Sequence, residues 1–415
     1  MDFAYSPRCE DYRARVRDFF DSHILPRNAQ WHHEVASGAY PVSFMDDLKA
    51  LARSEGLWNL FLPSLREDEP GTGLSNVDYA PLAEIMGRLQ WASEVFNCNA
   101  PDTGNMELMH MFADDRQYEQ WLKPLLNGEI RSAFAMTEPD VASSDATNIQ
   151  TRIRRDGGDY VVNGRKWFIT NAAHPNCKLL IVMGKTDPDG ASHRQQSMVL
   201  VPIDAPGVEI VRNITVLNHF APEGHCEVLF RDVRVPAENL LGQEGEGFAM
   251  AQARLGPGRI HHCMRSIGQS ELAIELMSER AQERKTFGRH LIERDNIAEW
   301  IARSRIEVDQ ARLLVLRTAW MIDTIGARAA RKEISMIKAL VPAMQCRIVD
   351  RAMQVFGAMG LSPDTPLADL YSWGRALRYA DGPDEVHLRS IARMEYKSSA
   401  ERLGQAADYL TPPER

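Results

Sequence analysis

The feature that most constrains the fold is a change of hydrophobic periodicity that occurs twice along the 415 residues. From residue 11 to about residue 134, apolar side chains recur every three or four positions, which is typical of helices. Short β-type runs replace this pattern between about residues 135 and 245, and long helical patterns return from residue 248. Because strands do not alternate with helices, a doubly wound sheet is disfavoured. The order predicts a helical domain, a compact β domain and a second helical domain.

Within these regions the sequence predicts individual elements. The expected strands are residues 160–162, 179–183, 198–201 and 227–230, and Asn163-Gly164 between two such runs predicts a hairpin turn. Two apolar stripes predict core-facing helices, with a kink expected near Pro342. The first stripe is Ile297, Ile301, Ser304, Val308, Ala311 and Val315, and the second is Ile337, Leu340, Val341, Met344 and Ile348.

Composition excludes several classes of function. With 48 basic and 57 acidic side chains the net charge is -9, so no global positive field is available to attract nucleic acid. The sequence shows no secretory leader and no run of about 18 apolar residues, which predicts a cytoplasmic protein without a membrane span. The six cysteines lack paired spacing, and His261, His262 and Cys263 point apart on a helix, so no metal site is predicted. The Rossmann, P-loop and α/β-hydrolase fingerprints do not occur.

Three segments could carry chemistry. Residues 133–145 form a hydroxyl-rich loop that could bind phosphate oxygens or the edge of a flavin, although a capped surface turn has the same composition. Residues 163–172 place two aromatic side chains before a threonine, which suits ring stacking but also an ordinary half-buried strand. Residues 379–387 place Asp381 ahead of a helix that begins with Pro383 at its first position, so Asp381 could be a base or a solvated cap residue.

Taken together and in order, these motifs resemble the acyl-CoA dehydrogenase family over nearly the whole chain. The matching segments are residues 136–139 with 144–145, residues 163–171, residues 230–236 with 239–242, residues 284–288 and residues 354–360. Residues 99–105, 255–260 and 380–387 are most similar to the subgroup that some eukaryotes fuse to an aminoglycoside-phosphotransferase-like domain. The resemblance implies a mainly α protein with a central β domain. Its parts would be an N-terminal helical domain (residues 1–134), a middle β-barrel-like domain (135–245) and a C-terminal four-helix bundle (246–415).

The resemblance also implies a cofactor, a substrate and partners. FAD would lie between the middle and C-terminal domains of a homodimer or homotetramer, an acyl-CoA thioester would be oxidised, and an electron-transfer flavoprotein would accept the electrons. In that arrangement Arg284 and Gln354 reach the FAD of a neighbouring subunit. The implied cofactor residues are Phe134, Met136, Thr137, Ser143, Ser144, Phe168, Ile169, Thr170, Arg284, Gln354, Gly357, Asp384 and Glu385. The implied substrate residues are Ser144, Arg259 and Gly382.

The catalytic base that the resemblance implies is Asp381, which would take the α-proton while the β-hydride goes to flavin N5. The family usually has a glutamate after a tyrosine, whereas here Asp381 follows Ala380; Ala358 replaces a glycine and Asp295 a glutamine. Ala380 and Ala358 suggest a reshaped pocket, and the resemblance implies a long, branched or hydroxylated acyl chain. Burial would raise the pKa of Asp381 and a helix N-terminus would lower it, so the direction stays open. Two alternatives are an oxidase of the same fold, similar to nitroalkane oxidase, and a non-enzymatic scaffold.

Overall fold

The computed structural model describes residues 3–402, with the side chains of Leu255 and Pro257 left aside. The predicted first and third domains therefore extend, at residues 1–2 and 403–415, outside the described part. The N-terminal helices are α1 (Pro7–Phe19), α2 (Asn28–Ala36), α3 (Met45–Ser54), α4 (Asn76–Gly87), α5 (Ala92–Val95), α6 (Asp102–Phe112), α7 (Asp115–Gln117) and α8 (Lys123–Leu126). Two π-helical turns, Phe20–Ile24 and Tyr118–Leu122, continue α1 and α7.

The middle of the chain forms one eight-stranded sheet. Its strands are β1 (Arg131–Ala135), β2 (Arg152–Asp156), β3 (Asp159–Thr170), β4 (Cys177–Lys185), β5 (Gln196–Pro202), β6 (Val208–Asn213), β7 (His225–Pro236) and β8 (Leu240–Leu241). The strand order is β6-β7-β3-β2-β4-β5-β8, and β1 pairs with β4 in parallel. The four strands predicted from the sequence are confirmed, and the predicted boundary at residue 134 falls inside β1.

The sheet separates two hydrophobic cores, and the alternation of side chains along β4 shows how. Leu179, Ile181 and Met183 face the large core formed with the helices, whereas Leu180 and Val182 face a smaller core inside the β domain. Successive residues of a strand point to opposite faces, so a strand covered on both faces must be apolar at every position. This explains why β4 appears in the sequence as a continuous apolar run.

Long helices complete the fold: α9 (Gly247–Glu283), α10 (Asp295–Ile325), α11 (Arg331–Phe356), α12 (Leu367–Leu377) and α13 (Asp384–Ala400). A two-stranded ribbon of β9 (Lys285–Thr286) and β10 (Arg289–His290) joins α9 to α10. The first predicted stripe lines the core side of α10, with Ile301 partly buried. In the second stripe Leu340 is exposed, contrary to the prediction, and α11 continues through Pro342.

The hairpin predicted at Asn163-Gly164 is wrong. Both residues lie inside β3, where the pairing with β7 shifts register between Val162 and Gly164. A Cβ on Gly164 would meet Thr151 Cα at 2.8 Å, so glycine is required here by close approach of the backbone rather than by a turn. The turn between β2 and β3 is instead at residues 157–158, next to the last pair of that ladder.

Among the helices within residues 3–402, none combines the length and the hydropathy that a bilayer span requires. Over the same residues no group of three or more His, Cys, Asp or Glu side chains is placed to hold a metal ion.

Candidate active site

Asp381 lies in the short connection between α12 and α13, in a backbone conformation that few side chains adopt. Its φ is 56° and that of Gly382 is 103°. The Asp381 carbonyl oxygen accepts hydrogen bonds from Arg259 (3.3 and 3.1 Å) and from His387 Nε2 (3.2 Å). Lys338 Nζ donates to the Gly382 carbonyl oxygen at 3.3 Å. Because three helices, α9, α11 and α13, hold these two carbonyl groups, the strained main chain is fixed in place.

The Asp381 carboxyl group is in a cationic environment. Burial raises its pKa, but nearby basic side chains outweigh burial and hold the pKa below its usual range. These side chains are His262, Arg254, Arg259 and Lys338. Burial and then Arg265 lower the pKa of His262 to about 3, so this histidine is neutral at neutral pH. The positive charges near Asp381 then come from Arg254, Arg259 and Lys338. The positive surroundings therefore decide the direction that the sequence left open, and Asp381 is ionised at neutral pH.

The hydroxyl-rich loop after β1 packs against β3, which brings the first two candidate segments together. The Thr137 carbonyl oxygen accepts a hydrogen bond from Trp167 N at 3.0 Å, and Thr137 Oγ1 donates to the Trp167 carbonyl oxygen at 2.7 Å. Lys166 Nζ is fully buried and donates to the Met136 carbonyl oxygen at 2.7 Å and to Glu138 Oε1 at 2.9 Å. The main chain of the loop is thus clamped onto the strand by polar contacts.

This surface has the features needed to hold a flat aromatic cofactor. Phe168 has a φ of 53° and its side chain is 45 % exposed, beside the ring of Trp167 at a centroid distance of 4.9 Å. Ser144 is also exposed, so its hydroxyl is open to a ligand. An exposed aromatic ring and an unbonded hydroxyl are the kinds of group that could hold an isoalloxazine ring and its polar edge.

Other predicted cofactor residues use their side chains within the protein. Ser143 Oγ accepts a hydrogen bond from Glu138 N at 2.8 Å and so closes the loop. Thr170 Oγ1 lies 3.0 Å from His225 Nδ1. Ile169 is fully buried in the β-domain core, so only its main chain could reach a cofactor.

Arg254 of α9 contacts the candidate cofactor segment and also acts on Asp381. Its guanidinium group lies 4.2 Å from the ring centroid of Phe134, at the end of β1, and its Nε donates to Asn105 Oδ1 at 3.0 Å. The same guanidinium contributes to the positive field on Asp381. Arg254 of α9 therefore lies between Phe134, near the end of β1, and Asp381.

The acidic residues at the start of α13 differ from each other. Asp384 is buried, and its Oδ2 accepts a hydrogen bond from Arg378 Nε at 2.7 Å, while Oδ1 is buried without a partner among residues 3–402. Glu385 is exposed. Pro383 was predicted at the first helical position, but it is the N-cap residue, with a ψ of 159° that is incompatible with the helix.

Arg284, Gln354 and Gly357 are not near Asp381 in the same chain. Arg259 and Arg284 are separated by most of the continuous helix α9, about 37 Å at about 1.5 Å per residue. All three residues are exposed, and Gly357 follows α11 with a φ of 67°. The structure thus divides the predicted site residues into two groups at different places in the chain.

Sequence reasoning missed Arg254, His262 and Lys338 as neighbours of Asp381. In the sequence, His262 suggests at most a metal ligand, and Lys338 falls on the predicted core side of α11. One signal was available, because Arg254, His262 and Arg265 recur at helical spacing in the first half of α9. Nothing in the sequence indicated that α11 would bring Lys338 to the same place.

Comparison with known proteins places this arrangement in a family. Residues 6–129, 133–233 and 245–395 match the models of the N-terminal, middle and C-terminal domains of acyl-CoA dehydrogenases. A probable acyl-CoA dehydrogenase of Mycobacterium tuberculosis, FadE2, is 56% identical over 402 residues, which are 95% of this chain and 97% of that protein. Acyl-CoA dehydrogenase family member 11 of Mus musculus is 49% identical over 97% of this chain, and the match spans 52% of the mouse protein.

A solved structure agrees with both results. The structure of a putative acyl-CoA dehydrogenase from Mycobacterium abscessus superposes with a TM-score of 0.92 at 47% identity, covering 96% of this chain and 100% of that chain. The fold, with helical, β and helical domains in that order, is the acyl-CoA dehydrogenase fold predicted from the sequence. This chain belongs to the acyl-CoA dehydrogenase family.

Proposed function

We propose that this protein is a FAD-dependent acyl-CoA dehydrogenase in which Asp381 removes the α-proton of a fatty acyl-CoA thioester. The observation that carries the proposal is the carboxylate of Asp381, held ionised by cationic neighbours, one of which, Arg254, also packs on the ring of Phe134 beside the hydroxyl-rich loop. An ionised carboxylate can accept a proton at neutral pH, and its fixed main chain limits the positions from which it does so.

The predicted cofactor residues would have separate roles. Phe168 would cover one face of the ring system, and the main chain of Met136 to Ser144 with the Ser144 hydroxyl would bind its polar edge and phosphate groups. FAD, when bound, supplies the flavin N5 that accepts the β-hydride. Asp384 Oδ1, buried without a partner among the residues described, would gain one from the cofactor, while Glu385 would contact it from the exposed side.

The substrate thioester would extend from Asp381 towards Arg259 and Ser144, with Gly382 beside it. Arg259 is partly buried and bonded to the Asp381 carbonyl, so it can bring a positive charge to an anionic part of the CoA moiety without leaving the site. Ala380, in place of the usual tyrosine, leaves more room next to the base. We therefore propose a long, branched or hydroxylated acyl chain, used in fatty acid β-oxidation.

Asp381→Asn is the central test. The amide cannot accept the α-proton, so we expect flavin bleaching by acyl-CoAs to slow by about 10²- to 10⁴-fold, with FAD content and acyl-CoA binding retained. Stopped-flow absorbance with a panel of acyl-CoAs measures the rate. Asp350→Asn, at an exposed position of α11, is the matched control and should bleach at the parental rate. Parental bleaching in Asp381→Asn would move the search for the base to Asp384 and Glu385.

The same experiment distinguishes the electron acceptor. For a dehydrogenase, flavin reduced by acyl-CoA should persist in air and be reoxidised on addition of an electron-transfer flavoprotein. Rapid reoxidation by oxygen, with hydrogen peroxide released in proportion, would instead favour an oxidase.

A further inference from the structure

His262 lies beside the Asp381 carboxylate, and its tautomer is fixed by a second residue. Arg265 Nη2 lies 3.1 Å from His262 Nδ1, and because a guanidinium group only donates, Nδ1 must accept. The proton of the neutral ring is therefore on Nε2. Arg265 is held in turn by the Cys98 carbonyl oxygen, to which its Nη1 donates at 3.4 Å. The Nε2–H group faces Asp381 Oδ2, 3.6 Å away.

This contact differs from the others that Asp381 makes. Arg259 and His387 bond its main-chain oxygen, so they fix the backbone and leave the side chain free to rotate. His262 is the neighbour whose donor faces a carboxylate oxygen. At 3.6 Å the contact is longer than a hydrogen bond, but such contacts shorten when substrate fills a catalytic site.

We propose that His262 is a positioning residue for Asp381: its Nε2–H holds Oδ2, so that the other carboxylate oxygen is directed at the α-proton. The inference rests on the proposed function, since it needs Asp381 to be the base. A positioning residue is needed because the side chain of Asp381 is one methylene shorter than that of glutamate, so its carboxylate can reach fewer positions. Proton transfer depends on the placement of the accepting oxygen to a fraction of an ångström.

The inference predicts a change in pH dependence as well as in rate. The charged or titratable groups that face Asp381 or its immediate neighbours come from three helices: Arg254, Arg259, Cys263 and Arg265 on α9, Lys338 on α11, and Asp384 and His387 on α13. Removing the His262 donor leaves all of these in place but stabilises the carboxylate less. The acid limb of the bleaching rate should therefore move to higher pH.

Two amides of different length test the geometry. In His262→Gln the terminal amide nitrogen can reach the position of Nε2, whereas in His262→Asn the amide reaches only that of Nδ1. We expect His262→Asn and His262→Leu to bleach about 10- to 100-fold more slowly than the parent with the best acyl-CoA of the panel, and His262→Gln to recover most of the rate. FAD content and the dissociation constant for the acyl-CoA should change little.

His261→Leu is the matched control. His261 is the neighbouring histidine on α9 and is fully buried. It packs against Tyr79 with a ring-centroid distance of 4.9 Å, and neither of its ring nitrogens has a hydrogen-bond partner within residues 3–402. It should keep the parental rate and pH profile. Equal rates in His262→Asn, His262→Gln and the parent, or an unshifted acid limb in His262→Asn, would overturn the inference. Failure of any acyl-CoA to bleach the parent would overturn the proposed function itself.

Discussion

Glu94 is a buried carboxylate whose charge is needed where the N-terminal helices meet β1. Its Oε1 lies 2.8 Å from both Lys49 Nζ and Arg131 Nη1. Burial alone would raise the pKa of Glu94, but Arg131 and Lys49 lower it to about 2. Glu94→Gln leaves both cations without this partner, so we expect the free energy of unfolding at pH 7 to fall by about 3–5 kcal/mol. Urea denaturation followed by tryptophan fluorescence measures it.

The pH dependence of this loss has a definite sign. Because the folded-state pKa of Glu94 is depressed, its contribution to stability is complete above its ordinary pKa of 4.5 and is lost as pH falls towards about 2. The difference in unfolding free energy between parent and Glu94→Gln should thus narrow over that range. A difference that stays constant from pH 7 to pH 3 would show that the effect comes from packing and not from charge.

At the scale of single residues, the sequence singled out Asp381 but did not predict which side chains would surround it. Asp381 and Arg259 are in motifs, and the structure does bring them into contact. His262 and Lys338 lie near Asp381 only because α9, α11 and α13 converge there. A local sequence pattern cannot predict this convergence of helices. The pKa direction of Asp381 depends on those side chains, so it too required the structure.

At the scale of elements, α4 and α9 approach so closely that glycine is required on both helices. A Cβ on Gly268 would lie 1.9 Å from the Glu84 carbonyl oxygen, and one on Gly87 would lie 2.4 Å from that of Arg265. Gly268→Ala must separate the helices, and we expect it to cost about 1–3 kcal/mol of unfolding free energy or more. Gly258→Ala, where a Cβ meets nothing within 4 Å, is the control and should be neutral or stabilising by up to about 1 kcal/mol. Thermal denaturation of both variants tests this prediction. Equal melting temperatures for Gly268→Ala and Gly258→Ala would contradict the close approach of α4 and α9.

Helices and strands were predictable where apolar residues recur with a clear period. They were not predictable where a glycine can indicate either a turn or a close contact inside a strand. The strands and the α10 stripe follow from periodicity, whereas Asn163-Gly164 has the composition of a turn but forms an irregularity inside β3. The reason is the close approach of Thr151, the residue just before β2, which is a tertiary contact. Leu340 similarly follows the helical spacing but lies on the exposed side of α11.

At the scale of the whole molecule, the order of domains follows from the changes of hydrophobic periodicity along the sequence. The oligomeric state does not follow from them. Arg284 lies at the far end of α9 from Arg259, and Phe287 in the adjacent ribbon is 97 % exposed with a φ of 49°. A large aromatic side chain left in solvent on a strained turn suits an interface. We therefore expect a dimer or a larger assembly by light scattering, in which Arg284 completes the FAD site of a neighbouring subunit.

Mixed dimers test this assignment directly. Asp381→Asn and Arg284→Glu should each be impaired alone, the second through weaker FAD binding because a positive charge near the cofactor is reversed. If Arg284 acts on the neighbour's site, a dimer with one chain of each variant has one intact site and one doubly altered site. Random co-expression makes half of the dimers mixed, so acyl-CoA-dependent bleaching should recover to about a quarter of the parental level. If Arg284 acted within its own chain, every site would carry one substitution, and co-expression would restore nothing.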